Sequence, residues 1–276
     1  MKIKNPLTYC ILVFFLLTVL LPMIWGISIA FRSNAEIAGM SGFSFRSFVP
    51  ETATLENFTR MFKRVNIGRV FAVTLYVSLS VTFLNLIINS MAAYAFARFE
   101  FPGKDLLFIV FVATMIVPIE ILIIPLYGTL RGFGMIDKLS ALILPFIAKG
   151  FGIFYLRQFI LGIPKELDEA AMIDGCSRLG IYLRIILPLT KPALLILGII
   201  LFLEQWDSFL VPVTLITSES KMVLQVAINY LYAGIYFNDI GILFAGMVIA
   251  AIPVIIVFTF LQRFFIEGIS TSGIKG

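Results

Sequence analysis

EAAMIDGCSRLGIYLRIILPLTKP, residues 169–192, is the polar stretch that decides how the rest of the chain is read. It opens Glu169-Ala170-Ala171-Met172-Ile173-Asp174-Gly175 and reaches Pro188 inside Ile186-Leu187-Pro188-Leu189. On both sides lie apolar runs of about 20 residues, the length of helix that crosses the hydrocarbon of a bilayer. The combination describes a membrane protein that carries a folded polar element suited to docking a soluble partner. An ordinary cytoplasmic loop with helical turns is the other reading of the same residues.

Local signals give this insert a shape. Pro164 suits a first helical position, where its missing N–H is no loss. Glu166, Asp168 and Glu169 follow near the positive helix N-terminus, where carboxylates are favoured. The helix is expected to run through Ala170, Ala171 and Ile173 and to stop at Gly175, a good left-handed terminator. Ser177 can cap a second helix. That helix is amphipathic, with Leu179, Ile181, Tyr182, Ile185 and Ile186 opposed to Arg178 and Arg184. Pro188 is expected to end it and Pro192 to open the next apolar run. Small Ala170 and Ala171 beside Glu169 allow close approach of a partner backbone and offer one charge for pairing.

Working outward, the 276 residues are 60% hydrophobic and 13% charged, with mean hydropathy +1.03. A soluble domain carries nearer a quarter charged residues. Six stretches are long and apolar enough to span: 10–31, 70–97, 106–126, 140–161, 193–216 and 241–262. In lipid each must satisfy its own backbone, which leaves helix. The expected fold is therefore an all-α integral membrane protein with six transmembrane helices. Residues 1–68 would form the first helix and a long extracytoplasmic loop. Residues 69–276 would form a core of five helices, a cytoplasmic loop at 162–192 between spans 4 and 5, and a short cytoplasmic tail. The N-terminal apolar run is too long for a signal peptide and lacks a clean cleavage site, so it reads as a retained span.

Six spans put both termini on one side. With the termini inside, eleven Lys and Arg fall inside and nine outside, six of these between Arg32 and Arg69. This favours the orientation by a small margin. Leu55–Arg69 has apolar Leu55, Phe58, Met61, Phe62 and Val65 with basic residues on other faces, the pattern of a short interfacial helix. The net charge of +5 is accounted for by basic residues flanking spans, so no nucleic-acid partner is expected. There is no His, and the cysteines are Cys10 and Cys176. That composition argues against a His/Cys metal site, a His-ligated haem and a disulfide framework, and no metal-binding residue is assigned.

Ionisable residues at membrane depth cost about 2.5–3.5 kcal/mol on insertion scales and usually face a cavity or a partner. Glu120, Lys149, Glu204 and Asp207 are the candidates. They line a hydrophilic path, or they form interhelical ion pairs such as Lys149 with Glu120 or Glu204. Trp206, Tyr94 and Tyr127 can stack on sugar rings or act as interfacial anchors. Pro118, Pro125, Pro145, Pro212 and Pro253 lie in or near spans and read as passive kinks or as hinges.

Glu169-Ala170-Ala171, Gly175 and Ile186-x-Pro188 resemble the EAA loop of permease subunits of bacterial binding-protein-dependent ABC importers. The whole of 169–192 is similar to the carbohydrate-uptake branch, as are Ala93 through Phe99 with Phe101-Pro102-Gly103-Lys104, Phe154 through Phe159, and Trp206-Asp207-Ser208-Phe209. The tail, 268–276, resembles that of the second permease of maltose-type systems. Lys149, and Asp207 where the family often has Asn, depart from the pattern. The resemblance implies a non-catalytic subunit of the inner membrane for a sugar, oligosaccharide or related polyol. It also implies a second homologous permease, two ATPase subunits and an extracytoplasmic solute-binding protein as partners. Glu169, Ala170, Ala171, Asp174, Gly175 and Pro188 would then form the ATPase-coupling element. No cofactor is expected in this chain, since no G-x-x-x-x-G-K-[ST] is present; ATP and Mg would belong to the ATPases. A permease for a non-carbohydrate solute and a self-sufficient secondary carrier are the alternatives, although no repeat between halves is evident.

Overall fold

A computed structural model describes residues 6–40, 45–233 and 239–272. The cations Lys2, Lys4 and Lys275 lie outside the described residues, as does the end of the tail. Among the described residues the regular structure is all helical. In chain order the helices are α1 (Pro6–Ala30), α2 (Asn34–Ala38), α3 (Glu56–Arg64), α4 (Ile67–Arg98), α5 (Lys104–Ala113), α6 (Ile119–Gly132), α7 (Leu139–Ile143) and α8 (Gly150–Leu161). Then come α9 (Glu166–Ile173), α10 (Arg178–Ile181), α11 (Leu187–Leu189), α12 (Lys191–Trp206), α13 (Leu210–Leu215), α14 (Leu224–Ala233) and α15 (Ile240–Ser272).

Four segments are long and apolar enough to cross a membrane: Pro6–Ala30, Ile67–Arg98, Leu139–Leu161 and Ile240–Phe260. Two bent pairs raise the number to six if each counts as one span. Lys104–Ile116 meets Ile119–Gly132 at 106°, and Arg178–Leu189 meets Lys191–Trp206 at 75°. The expected run 106–126 is thus not one rod. Val117 is extended, as a residue before proline tends to be, and Pro118 restarts the helix. The expected run 193–216 also stops early. Helix α12 ends at Trp206, and α13 starts only at Leu210, two residues before Pro212. Pro118, Pro145 and Pro212 therefore accompany interruptions, whereas Pro125 and Pro253 sit inside continuing helices.

The chain forms two compact units. One comprises 1–69 and 224–253. Here the carbonyl end of α1 is held by Asn57, whose Nδ2 donates to Ala30 O at 3.1 Å and Arg32 O at 2.8 Å. Arg32 is itself buried, bonded to Glu36 at 2.8 Å and to the carbonyls of Arg46 and Val49 at 2.6 and 2.7 Å. Arg60 and Arg64 both turn to Asp239. The helix expected over Leu55–Arg69 is the shorter α3, and its apolar stripe is split. Asn57 and Met61 face inward while Leu55 and Phe62 are exposed. The Asn57 bonds fix the rotation of the helix and override the apolar pattern.

The other unit comprises 70–223 and 254–276. Its buried core joins α4 (Ala93, Tyr94, Ala97), α8 (Leu156, Ile160), the polar insert (Ala171, Ile181, Tyr182, Ile186) and α12 (Ala193, Leu197, Leu201). At another edge Asp137 adopts φ 59° and clasps a second loop. Its carboxylate accepts from Ser218 N at 2.8 Å, Thr217 N at 3.1 Å and Lys221 Nζ at 2.9 Å. The Ser218 hydroxyl, then Lys221, hold this carboxyl well below the usual carboxylate range. A depressed folded value means that the clasp is at full strength above the ordinary carboxylate pKa and is lost only in strong acid.

Candidate functional site

Three helix interruptions of the second unit, those beside Pro118, Pro145 and Pro212, meet at one place. A cavity of about 800 Å³ is lined by Val117, Ile119 and Glu120 from the first break, and by Phe146, Ala148, Lys149 and Gly150 from the second. Gln205, Ser208 and Phe209 come from the third. This volume is in the range of small-molecule sites. Unwound backbone at membrane depth is tolerated where it lines a cavity, because only there can its freed N–H and C=O groups find partners.

The second break shows how those partners are supplied. After a short 3₁₀ turn over Leu144–Phe146, the chain is irregular until Gly150, and Lys149 is extended. Asn85 and Asn89, one turn apart on α4 and fully buried, hold this piece. Asn85 Nδ2 donates to Phe146 O at 2.8 Å, and Lys149 N donates to Asn89 Oδ1 at 3.3 Å. Asn89 Nδ2 in turn donates to Asn85 Oδ1. Gly152 is what lets Asn89 in: a Cβ there would stand 2.0 Å from Asn89 Nδ2. Gly152→Ala is therefore expected to displace Asn89 and destabilise the chain by about 1–3 kcal/mol. Thermal unfolding in detergent measures it, and Asn89→Ser in the same chain should restore part of the loss.

The candidate path residues divide in a simple way. Lys149 and Glu204 line the cavity and form an ion pair with each other. Of the two ion pairs expected for Lys149, the one with Glu204 forms, and it stands at the cavity wall. Glu120 lines the cavity in the first turn of α6. Asp207, which caps the end of α12, is not among the lining residues. Trp206 is not an anchor or an open stacking face. It is fully buried against Phe71 and Phe202. Tyr94 is also buried, its hydroxyl donating to Arg178 O at 3.3 Å.

The polar insert is a helix, a tight bend and a second helix. Pro164 lies two residues ahead of α9 and not at its first position. The bend closes with Cys176 N donating to Ala171 O at 2.9 Å and Gly175 N to Met172 O at 3.1 Å, around Gly175 at φ 82°. This paired closure needs a left-handed residue, which glycine supplies without strain. Ser177 Oγ accepts from Gly180 N at 3.1 Å and starts the second helix. That helix runs past Pro188 to Leu189 and bends at Thr190, so Pro188 does not end it. The turn before the proline, Tyr182–Ile186, is widened to a π-turn, with Leu187 N bonded to Tyr182 O. Such π-turns are rare and occur mostly as single turns inside α-helices, frequently at functional sites.

The outer face of the insert carries Glu169 and Ala170 with Met172, Asp174 and Leu179, and Ile173 is 87% exposed. Ala171 is turned inward into the core and is not available to a partner, a correction to its expected place on the docking face. Asp168 is also turned inward. It meets Arg98 at 2.6 Å, and Arg98 Nη2 donates to Ile163 O at 2.8 Å. Ser90 and Tyr182 share a hydrogen bond of 2.7 Å. Residues 90, 94 and 98 lie at successive i, i+4 positions, so one face of α4 binds the insert. Reading residues by type missed this stripe because Arg98 falls just beyond the apolar run read as 70–97. The Ser-x-x-x-Tyr-x-x-x-Arg spacing at the end of an apolar helix was the available signal.

Comparisons with known proteins agree with one another. A family model described as "Binding-protein-dependent transport system inner membrane component" matches residues 89–271. The chain is 34% identical to the arabinooligosaccharides transport system permease protein AraQ of Halalkalibacterium halodurans, over 92% of this chain and 91% of that one. It is 34% identical to the diacetylchitobiose uptake system permease protein NgcG of Streptomyces coelicolor, over 93% and 84%. In fold it is similar to a chain of a bacterial ABC transporter involved in the import of the acidic polysaccharide alginate. The TM-score is 0.83 at 23% identity, covering 94% of this chain and 95% of that one.

Proposed function

The chain belongs to the family of binding-protein-dependent transport system inner membrane components, and from that premise we propose that it is the permease subunit of an ATP-driven importer of a sugar, oligosaccharide or related polyol. It forms half of a translocation path with a second, homologous permease, across the membrane with six spans and both termini in the cytoplasm. The insert 162–192 is the coupling loop. Its exposed face, with Glu169, Ala170, Asp174 and Gly175, sits in a cleft of one of two ATPase subunits that bind ATP and Mg. An extracytoplasmic solute-binding protein delivers the cargo on the other side. The carbohydrate names of similar permeases support the cargo class. Six cations in 32–69 narrow the charge margin for this orientation, and three of them are ion-paired within the chain, Arg32 to Glu36 and Arg60 and Arg64 to Asp239.

One observation carries the reading: the helix that grips the coupling insert also holds the unwound wall of the cavity. On α4, Arg98, Tyr94 and Ser90 bind the insert while Asn89 and Asn85 bind Lys149 and Phe146. A displacement of the insert by ATPase closure is thereby felt at the cavity without any intervening loop. Such a link is a physical connection between two sites, and its coupling is tested by mutation. Extraction in mild detergent is expected to recover the chain with a second permease and two ATPase copies. A lone chain that transports unaided after reconstitution would identify a self-sufficient carrier instead.

A further inference from the structure

We infer that the cavity selects uncharged saccharides and turns away acidic ones, and that Glu204 sets this preference by engaging Lys149. The inference deepens the saccharide-import reading and rests on it. The ionisable groups lining the cavity are Glu120, Lys149 and Glu204. Two carboxylates and one ammonium leave the lining with a formal charge of −1. The single ammonium is already bonded to Glu204 Oε1. Glu120 has no ion partner among the described residues and faces open space. The Glu204 side chain is 55% exposed, so most of it remains available to a ligand.

What the cavity offers a guest is therefore acceptor-rich. Carboxylate oxygens accept hydrogen bonds and cannot donate them. Sugar hydroxyls donate, and the C–H faces of a sugar ring suit the phenyl rings of Phe146, Phe151 and Phe209 in the same wall. A uronate or sulfonate brings a third negative charge against this set. The cation that would receive it is engaged, and at membrane depth an unmatched charge is strongly disfavoured. Discrimination of this kind comes from repulsion of the wrong guest as much as attraction of the right one. Helix geometry alone would suggest the opposite preference. The N-termini of α6 and α8 lie at the cavity wall, where helix dipoles favour anions. Glu120, in the first turn of α6, already occupies that favourable position with a charge of the chain's own.

Removal of the Glu204 charge frees Lys149 and changes the lining from −1 to neutral with an open cation. The test uses the complete importer, with its partner permease and ATPases, in lipid nanodiscs without nucleotide. Binding of xylotriose and of the same trisaccharide bearing one glucuronate is measured by saturation-transfer NMR. The unaltered complex should favour the neutral sugar by roughly tenfold, and Glu204→Gln should lower that ratio by about tenfold. Glu204→Asp, which keeps the charge, should retain the preference. Lys149→Met should continue to reject the acidic sugar. Equal binding of the two sugars by the unaltered complex overturns the inference, as does an unchanged ratio in Glu204→Gln. Binding of neither sugar overturns the saccharide reading itself, and this inference with it.

Discussion

Glu169→Lys is expected to leave the chain folded while lowering uptake by an order of magnitude or more. Glu169 is exposed and, among the described residues, makes no ion pair. Exposed substitutions away from special features usually stay within about 0.5 kcal/mol. A lysine in the first turn of α9 adds an unfavourable dipole term of about 0.3–1 kcal/mol. Together these do not unfold a domain. If Glu169 faces an ATPase subunit as proposed, the same reversal sets a cation against a surface that receives an anion, and like charges set against each other there cost several kcal/mol. The measurement is paired: uptake by the reconstituted importer, and the amount of ATPase that co-purifies with the permease. Loss of uptake with either loss of the ATPase or free-running ATP hydrolysis is the expected result. Uptake equal to that of the unaltered importer would remove Glu169 from the coupling surface. Glu169→Gln, which keeps shape and removes charge, should fall between the two.

The membrane character and most spans were legible in sequence because they depend on length and apolarity, which are properties of single segments. The bend of the insert was equally legible. Gly175 and Ser177 act through their own backbone neighbours, and both did what their residue types favour. The interruptions were harder. Pro118, Pro145 and Pro212 resemble the prolines that merely kink spans, and nothing in a hydropathy pattern separates Pro118, at a break, from Pro125, inside a helix. The difference lies in who satisfies the freed carbonyls. For the second break the answer sits on α4, some 60 residues earlier, at Asn85 and Asn89.

Side-chain direction was the other blind spot. Trp206 and Tyr94 have the composition of ring-stacking or interfacial residues, yet both serve the core. Of adjacent Ala170 and Ala171 one is exposed and the other buried on the same short helix, and the same holds for Glu169 and Asp168. Chain order says that two such residues differ by 100° around the axis. It does not say which one faces inward, because that depends on what waits there. For Asp168 it is Arg98, and the resulting pair fixes the rotation of α9 and thus the direction of Glu169.

Breaking that pair is expected to give the largest loss of stability among single changes. Arg98 and Asp168 are 4% and 11% exposed as side chains, and removing either leaves the other as a buried, unmatched charge. Such losses run to about 3–5 kcal/mol. Asp168→Ala should therefore lower the unfolding temperature of the detergent-solubilised chain well beyond any change at Glu169, and uptake should fall with it. The pair is also incompletely satisfied: Arg98 Nη1 and Asp168 Oδ1 are buried without partners. Replacing both charges by apolar groups of similar size, Arg98→Met with Asp168→Leu, should for that reason recover much of the stability lost by Asp168→Ala. The double variant then separates two roles. If the pair only holds the unit together, uptake should return along with stability. If it also fixes the angle at which the insert meets its partner, the double variant should be stable, retain its ATPase subunits and remain poorly coupled. The second outcome is expected, because Arg98 additionally bonds Ile163 O at the root of the insert, a directional contact that methionine cannot replace. An Asp168→Ala chain as stable as the unaltered one, with uptake also unaltered, would show that neither role belongs to this pair.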